Sequence, residues 1–425
     1  MTKCNDIIEN ELTEIAMRLI EEKFRKLGTD NAPGQEVRQQ ITQGDLKLVG
    51  DNIPGRVVDF SHGDVDAFTP IPGSFEAFTE GYEVGGAQAY TEYRGSLVIR
   101  EDLAQKLATF TGSPVQGDED LIITTGTQGA LFLAAASTIA RGTKVVVVQP
   151  DYFANRKLVE FFDGEMIPVP MDYLNVKGKA GLDLNVLEDA FKQGAEVFLF
   201  SNPNNPAGVV YSEDEIIEIA RLAEKYSVTL IVDQLYSRLR YDGESYTHMC
   251  AHWHKAGLDG NKIVTIIGPS KTESMSGYRL GVAFGSPEII ERMEKLQAIV
   301  SLRAAGYNQA VLKTWFSEPE GWMEQRIKAH QAIRNDLIEI LSNIEDVRVR
   351  TPQAGSYLFP QLPKLNSSGL DFVRALRLQA CVIVTPGTEF SPYAESSIRF
   401  NFSQNHQAAV DAVQRVAKMV ARYRI

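Results

Sequence analysis

Residues 196–236 read EVFLFSNPNNPAGVVYSEDEIIEIARLAEKYSVTLIVDQLY, and the fold follows from how these residues alternate. EVFLFSNP (196–203) and TLIVDQLY (229–236) are short β-branched and aromatic runs without polar alternation, as expected of strands buried on both faces. Between them, SEDEIIEIARLAEKY (212–226) offers Ser212 as a cap, acids in the first turn, and an apolar stripe of Ile216, Ile217, Ile219, Ala220 and Ala223. Strand, helix, strand implies two parallel strands joined by a crossover helix. The rhythm extends outward through LIITTG (121–126), KVVVVQP (144–150) and KIVTIIGPS (262–270). The expectation is therefore an α/β fold whose large domain has a mostly parallel central sheet flanked by helices.

The flanks break this rhythm. The chain begins with an amphipathic helical pattern and turns irregular toward residue 60. Beyond about 310 it carries the long helical pattern MEQRIKAHQAIRNDLIEILSNI (323–344). Four strand candidates follow, VRVRT (347–351), SYLFPQL (356–362), CVIVTP (381–386) and SIRFNFS (397–403), and then a last helix. We expect a large domain at 61–305 and a small α+β domain built from both termini, 1–60 and 306–425.

Composition narrows the partners. The chain has 425 residues, 44% hydrophobic and 23% charged, with a formal net charge of −12. Such an acidic, ordinary globular composition disfavours nucleic acid and anionic membrane as partners. Cys4, Cys250 and Cys381 are odd in number and far apart, which fits a reducing cytoplasm better than a disulfide framework. The opening MTKCNDIIENELTEIAMRLIEEKF has neither the apolar core of a signal peptide nor the acid-poor character of a transit peptide. LFLAAASTIA (131–140) falls well short of the roughly 20 residues that span a bilayer.

Ligands of doubly wound sheets bind beyond the carboxyl ends of the strands, so the polar residues just past each strand are the candidates. After LIITT comes Gly126-Thr127-Gln128-Gly129-Ala130, a turn into an apolar helix whose free backbone N–H groups can hold a phosphate. After EVFLF comes SNPNNPAG (201–208). Asp233 and Tyr236 close the next strand. After KIVTIIG stand Pro269, Ser270 and Lys271, followed by Gly277-Tyr278-Arg279-Leu280-Gly281. Singly, each reads as a turn, a cap or a solvated cation. Together they bring a phosphate cradle, an acid, a phenol, an amide and an amine to one crevice.

SNPNNPAG, DQLY and SK with GYRLG resemble the fold-type I pyridoxal-phosphate-dependent enzymes, specifically the class I/II aminotransferases. HGDVDAFTP (62–70), YTEYRG (90–95), PGTEF (386–390) and SIRFNF (397–402) extend the likeness over nearly the whole chain. The resemblance implies pyridoxal 5′-phosphate as cofactor and an amino-group transfer between an α-amino acid and a 2-oxo acid. It implies that Lys271 forms a Schiff base with the cofactor aldehyde and that its freed amine moves the proton between Cα and C4′. Asp233 would pair with the pyridinium nitrogen, and Tyr236 and Asn205 would bond the 3′ oxygen. Gly126, Thr127, Gln128, Ser270 and Arg279 would hold the phosphate, and Tyr152 in PDY would stack on the ring. Arg399 would grip the substrate α-carboxylate, with the Gly63 N–H beside it. Tyr90 matches a tyrosine that reaches the neighbouring subunit's phosphate, so a homodimer with shared sites is implied.

The chain departs from the family pattern in places. Gly268 stands where a hydroxyl residue usually contacts phosphate, and Gln234 follows the acid. VSLRAAGYNQA (300–310) replaces a Ser-Asn-Pro-like turn, and there Arg303 is a candidate to meet an anionic or polar substrate side chain. His248, Cys250, His252 and His254 crowd into HMCAHWH (248–254), but closed metal sites rarely take four ligands from seven consecutive residues, so no metal is expected. TIIGPSKTE lacks the glycine that a P-loop requires before its lysine, and no strand is followed by GxGxxG. Motifs that hold the cofactor do not decide which bond to Cα breaks. Elimination, decarboxylation, cyclisation or oxidation therefore stays open as the alternative to transamination. A catalytically silent regulatory domain is disfavoured by Lys271, Asp233, Tyr236, Asn205 and Arg279 occurring together.

Overall fold

The computed structural model describes residues 18–27, 33–34, 36, 46–62, 67–85 and 90–425. After a two-residue strand β1 (Val58–Asp59), the chain supplies β2 (Leu121–Thr125), β3 (Lys144–Gln149), β4 (Glu165–Pro170), β5 (Val197–Ser201), β6 (Thr229–Asp233), β7 (Ile263–Ile267) and β8 (Leu280–Gly285). These last seven form one sheet in the order β2-β8-β7-β6-β5-β3-β4. The β4-β3-β5-β6-β7 run is parallel throughout, and β8 alone runs antiparallel to both its neighbours, β7 and β2.

Side-chain alternation explains why the sheet is covered on both faces. Val146, Val148, Phe198, Phe200, Leu230 and Val232 enter one apolar cluster. Their neighbours Val145, Val147, Val197, Leu199 and Ile231 enter a second on the opposite face. Each such fully buried aliphatic contributes about 1.5–3 kcal/mol of hydrophobic stabilisation before entropy is counted. The crossover helix between β5 and β6 is Glu213–Tyr226. Ser212 and Glu215 form a reciprocal capping box, and the Glu215 carboxylate also accepts the Ala180 and Gly181 N–H groups. One detail of the expected stripe is corrected. Ile217 is 41% exposed, whereas Leu222 is buried with Ile216, Ile219, Ala220 and Ala223. Ile217 lies about 100° round the helix from Ile216, away from the i, i+3, i+4 row that faces the sheet.

Strands end earlier than the apolar runs suggest: Ser201, Asp233 and Ile267 close β5, β6 and β7. The residues just beyond them leave the ladder and line the crevice. β4 and β8, which the sequence reading did not list as strands, complete the sheet at its edge and between β2 and β7.

A third apolar cluster joins the two ends of the chain. Val58 and Phe60 pack with Ile333, Leu337, Phe372, Val384, Phe400, Val416 and Val420. Around it lie β9 (Tyr357–Leu358), β10 (Val382–Ile383), β11 (Thr385–Pro386) and β12 (Ile398–Asn401). β1 pairs with β10, and β12 sits between β11 and β9. The helices Trp322–Ser342, Gly369–Ala380 and His406–Tyr423 cover them. VRVRT forms no strand; only an isolated bridge joins Arg348 to Gln361. No helix among the described residues is long and apolar enough to cross a membrane.

β8 passes directly behind the turn from β2 into the helix Gly126–Thr138. A Cβ on Gly281 would overlap the Gly126 carbonyl carbon and the Thr127 nitrogen. Gly281→Ala is therefore expected to cost about 2 kcal/mol or more in stability, read as a lower urea midpoint. An unchanged midpoint would show that this contact is not tight.

Candidate active site

The carboxyl ends of β3, β5, β6 and β7 and the small sheets meet around a cavity of about 200 Å³. Thr127, Gln128, Tyr152, Asn205, Asp233, Tyr236, Ser270, Lys271, Arg279 and Arg399 all line it. The topology thus gathers into one space ten side chains spread over 273 positions of sequence (399 − 127 + 1 = 273).

The phosphate-cradle candidates stand together. Gly126 opens its helix at a φ of +74°, and a Cβ there would run into the Arg279 guanidinium. Arg279 has a left-handed φ of +53°, a conformation costing about 1 kcal/mol for a residue with a side chain. Its Nη1 donates to the Ser276 carbonyl at 3.0 Å, and no carboxylate among the described residues pairs with it. Ser270 is buried, 3.5 Å from the Leu280 carbonyl. The Gly268 departure has a structural counterpart. A Cβ at that position would lie 2.6 Å from Thr127 Cγ2, so Thr127 fills the volume that a longer residue at 268 would claim, and it brings a hydroxyl of its own.

Asp233, at the end of β6, is half-buried, with its carboxyl set in the cavity wall. Burial pushes its carboxyl up to about 6, opposed only by the hydrogen bond from the Leu235 N–H. A buried acid without a cation is costly, and a protonated heterocyclic nitrogen in the cavity is the partner its chemistry calls for. Lys271 likewise has no carboxylate partner among the described residues. The donor set, an amine, an unpaired acid, an unpaired guanidinium and backbone N–H groups at a helix start, fits pyridoxal 5′-phosphate.

Arg399 projects from β12. Nη1 donates to Asn205 Oδ1 and Nη2 to the Ser61 carbonyl, each at 3.0 Å. Nε is buried without a partner. Two of five N–H groups are used, which leaves enough for two parallel bonds to a carboxylate. Asn205 thus spends its carbonyl oxygen on Arg399 and keeps its NH2 group for another acceptor. Tyr152 donates its hydroxyl to Gln128 Oε1 at 2.9 Å.

Two expected site residues lie elsewhere in this chain. Tyr90 is 74% exposed and does not line the cavity. Arg303 stacks its guanidinium over the Tyr90 ring at 4.3 Å and the Tyr93 ring at 5.1 Å. Gly63 falls outside the described residues. In HMCAHWH, His248 packs against Gln234, Phe110 and Tyr246, while Cys250 is buried in the helix Met249–Lys255.

The sequence reading missed Tyr357, Asp151, Ser61 and Asn401. Asp151 follows β3 and anchors the site floor. It accepts the Ser201 N–H at 3.0 Å and the Tyr152 N–H at 2.6 Å, while burial raises its carboxyl to about 8 in spite of the Ser201 bonds. Its place beside Tyr152 in PDY was the available signal. Asn401 lies within SIRFNF, two residues beyond Arg399, which was the available signal for it; Tyr357 comes from β9, where no motif marks it.

Comparison with known proteins bears on the chemistry. The family described as aminotransferase class I and II matches residues 56–416. The putative aminotransferase YugH of Bacillus subtilis is 28% identical over 79% of this chain and 84% of its own length. An aspartate aminotransferase of Pyrococcus horikoshii is 25% identical over 77% of this chain and 82% of its own. The crystal structure of an aspartate aminotransferase from Rhodobacter sphaeroides is 62% identical, covers 96% of this chain and all of its own, and superposes with a TM-score of 0.89. The cavity's unpaired amine, acid and guanidinium are what transamination on pyridoxal 5′-phosphate requires, and the chain belongs to the class I and II aminotransferase family, a pyridoxal-phosphate-dependent transaminase acting between an α-amino acid and a 2-oxo acid.

Proposed function

We propose that the substrates are the dicarboxylic amino acid aspartate and its 2-oxo acid, processed in two half-reactions at a site completed by a second copy of the chain. The observation that carries this reading is the excess of unpaired cations. Arg279 and Arg399 in the cavity, and Arg303 at the surface, have no carboxylate partner among the described residues. The name of the 62% identical relative supports the same substrate.

Pyridoxal 5′-phosphate, when bound, supplies an aldehyde that condenses with amines and a ring that accepts electron density from a deprotonated carbon. Lys271 Nζ is the base that takes the proton from substrate Cα and later returns one. Asp233 keeps a proton on the ring nitrogen, favoured because each charge relieves the other's burial. Arg279, Ser270, Thr127 and the N–H groups of Gly126, Thr127 and Gln128 would hold the phosphate. Tyr236 and Asn205 would face the 3′ oxygen, Tyr152 would stack on the ring, and Arg399 would orient the α-carboxylate.

Arg303 of a second copy would meet the side-chain carboxylate, and Tyr90 of that copy the phosphate. The surface around this pair supports a homodimer. Val84 and Val98 line one surface pocket with Thr91, Ile299 and Val300 closely precede Arg303, and the four are 80%, 74%, 81% and 57% exposed, apolar surface that a second copy would cover. Within each copy we assign a large unit at 61–305 and a small one at 1–60 and 306–425. The cytoplasm is the compartment that suits the free thiols Cys250 and Cys381.

Lys271→Ala is expected to abolish keto-acid formation, and wild-type protein to pass its amino group stoichiometrically to an acceptor. Release of ammonia instead would favour an elimination or oxidation. Arg303→Ala should raise KM for aspartate about 10–100-fold, the worth of a charge-assisted bond, while leaving alanine turnover little changed. Equal kinetics on both substrates would remove Arg303 from the site. Mixing inactive Lys271→Ala with Arg303→Ala subunits should restore aspartate activity if sites are shared.

Asp233 gives a pH signature. Its folded value near 6 lies above the ordinary 3.8, so in cofactor-free protein its stabilising contribution is present in full only below about pH 4 and is lost as pH rises through about 6. Relative to Asp233→Asn, wild-type protein without cofactor should therefore melt progressively lower between about pH 4.5 and 7. Bound cofactor should abolish this trend, and a pH-independent difference would mean that Asp233 is already compensated.

A further inference from the structure

Lys271 stands in a turn beyond β7, outside any helix or strand, so no regular ladder of backbone bonds fixes its Cα. Two backbone bonds close the turn, from the Ser274 N–H to the Lys271 carbonyl and from the Met275 N–H to the Pro269 carbonyl, each at 3.1 Å. What ties the turn to its surroundings comes from the side chains that follow. Thr272 is buried with a hydroxyl that finds no partner. Glu273 is 1% exposed, and its carboxylate accepts Arg238 Nη1 at 2.6 Å. Ser274 holds a left-handed φ of +55° and accepts Arg326 Nη1 at 2.6 Å, while Arg326 Nη2 donates to the Thr69 carbonyl.

Arg238 belongs to the connection beyond β6, five residues past Asp233 (238 − 233 = 5). Its Nη1 also donates to Glu318 Oε1 at 2.6 Å, and its guanidinium lies 4.1 Å over the Phe316 ring. The side chains of Arg238 and Glu318 are 11% and 10% exposed, so these charge-assisted bonds form where water competes little and are costly to break. The β6–β7 ladder ends at Asp233 and Ile266. Beyond that point the Arg238–Glu273 bond ties the connection that starts at Asp233 to the turn that carries Lys271.

We propose that Arg238 and Glu273 are positioning residues for the transamination site, whose ionic bond sets where the Lys271 amine stands between the cofactor and the substrate Cα. This deepens the reading above, in which Lys271 bonds the cofactor and moves the Cα proton. Neither Arg238 nor Glu273 lines the cavity, so they act through the backbone of the turn. A reacting group displaced by about 1 Å loses on the order of 100-fold in rate. The grip of Arg399 on the α-carboxylate comes from another sheet and is left as it was.

Glu273→Leu removes the tie, and Glu273→Gln keeps the shape with an uncharged acceptor. The first measurement starts from cofactor-free protein: pyridoxal 5′-phosphate is added, and borohydride reduces the C=N bond formed between Lys271 Nζ and the aldehyde carbon, so that the mass of the Lys271 peptide reports how fast the amine engages. That rate should fall about 3-fold in Glu273→Gln and about 10-fold or more in Glu273→Leu. In the reconstituted enzyme with aspartate as donor, kcat should fall about 10–100-fold in Glu273→Leu while KM stays within about 3-fold. Deuterium at the substrate Cα should slow both variants more than it slows wild type. Val416→Ala, in the apolar cluster that joins the chain ends, lowers stability without touching the turn and should leave both rates unchanged. Wild-type engagement rate and kcat in both Glu273 variants overturn the proposal, as do losses that Val416→Ala reproduces; if Glu273→Leu does not fold, Glu273→Gln decides alone. Failure of the Lys271 reading itself looks different, since Lys271→Ala would then still transaminate.

Discussion

Everything at the active site depends on the carboxylate of Asp233 being half-buried at the end of β6 without a cation of its own among the described residues. A parallel sheet covered on both faces ends its strands in a region that water scarcely reaches, and a charge left there must find a partner in the ligand. The same logic applies to Arg279 and Arg399, whose guanidinium groups bond to carbonyl oxygens rather than to acids. A ligand with one cationic ring nitrogen, one phosphate and one carboxylate satisfies all three at once. The low dielectric that makes unpaired charges costly there also makes paired ones strong.

Sheets of different construction supply these groups. The large sheet provides the amine, the acid and the phosphate cradle on rigid strand ends, and tight glycine contacts at Gly126 and Gly281 hold the cradle against β8. The small sheets provide Arg399 and Tyr357, which bond to Asn205, to Ser61 and to Tyr236. Arg399 and Lys271 therefore stand at different sheets, joined by a few hydrogen bonds between buried polar groups. Asp151, below them, ties the β3 end to the β5 end through Ser201.

Much of this was legible in order along the chain. A glycine turn after β2, Asp233 and Tyr236 after β6 and Ser270-Lys271 after β7 are recognisable because strand ends put consecutive residues into one crevice. Thr127 compensating for Gly268 was not legible, because the two residues are 141 positions apart (268 − 127 = 141) and meet only where β8 crosses the cradle. Tyr357 lay in a run that reads as an ordinary half-buried strand. Ile217 joined the expected stripe because apolar character alone does not say where the helix axis points. Tyr90 and Arg303 were both singled out, yet their stacking on each other became visible only in three dimensions.

The sequence by itself determined the alternation of strand and helix, the acidic but locally cationic character, and the identity of the amine, acid and arginines, because these depend on residue type and on short-range spacing. The tertiary structure alone decided that β8 runs antiparallel, that Val58 and Phe60 share one apolar core with residues from the C-terminal part of the chain, and that Tyr357 lies against Tyr236 beneath Arg399. Those depend on contacts between residues far apart in the chain, whose burial and charge environment exist only once the sheet, its covering helices and the small strands have packed together.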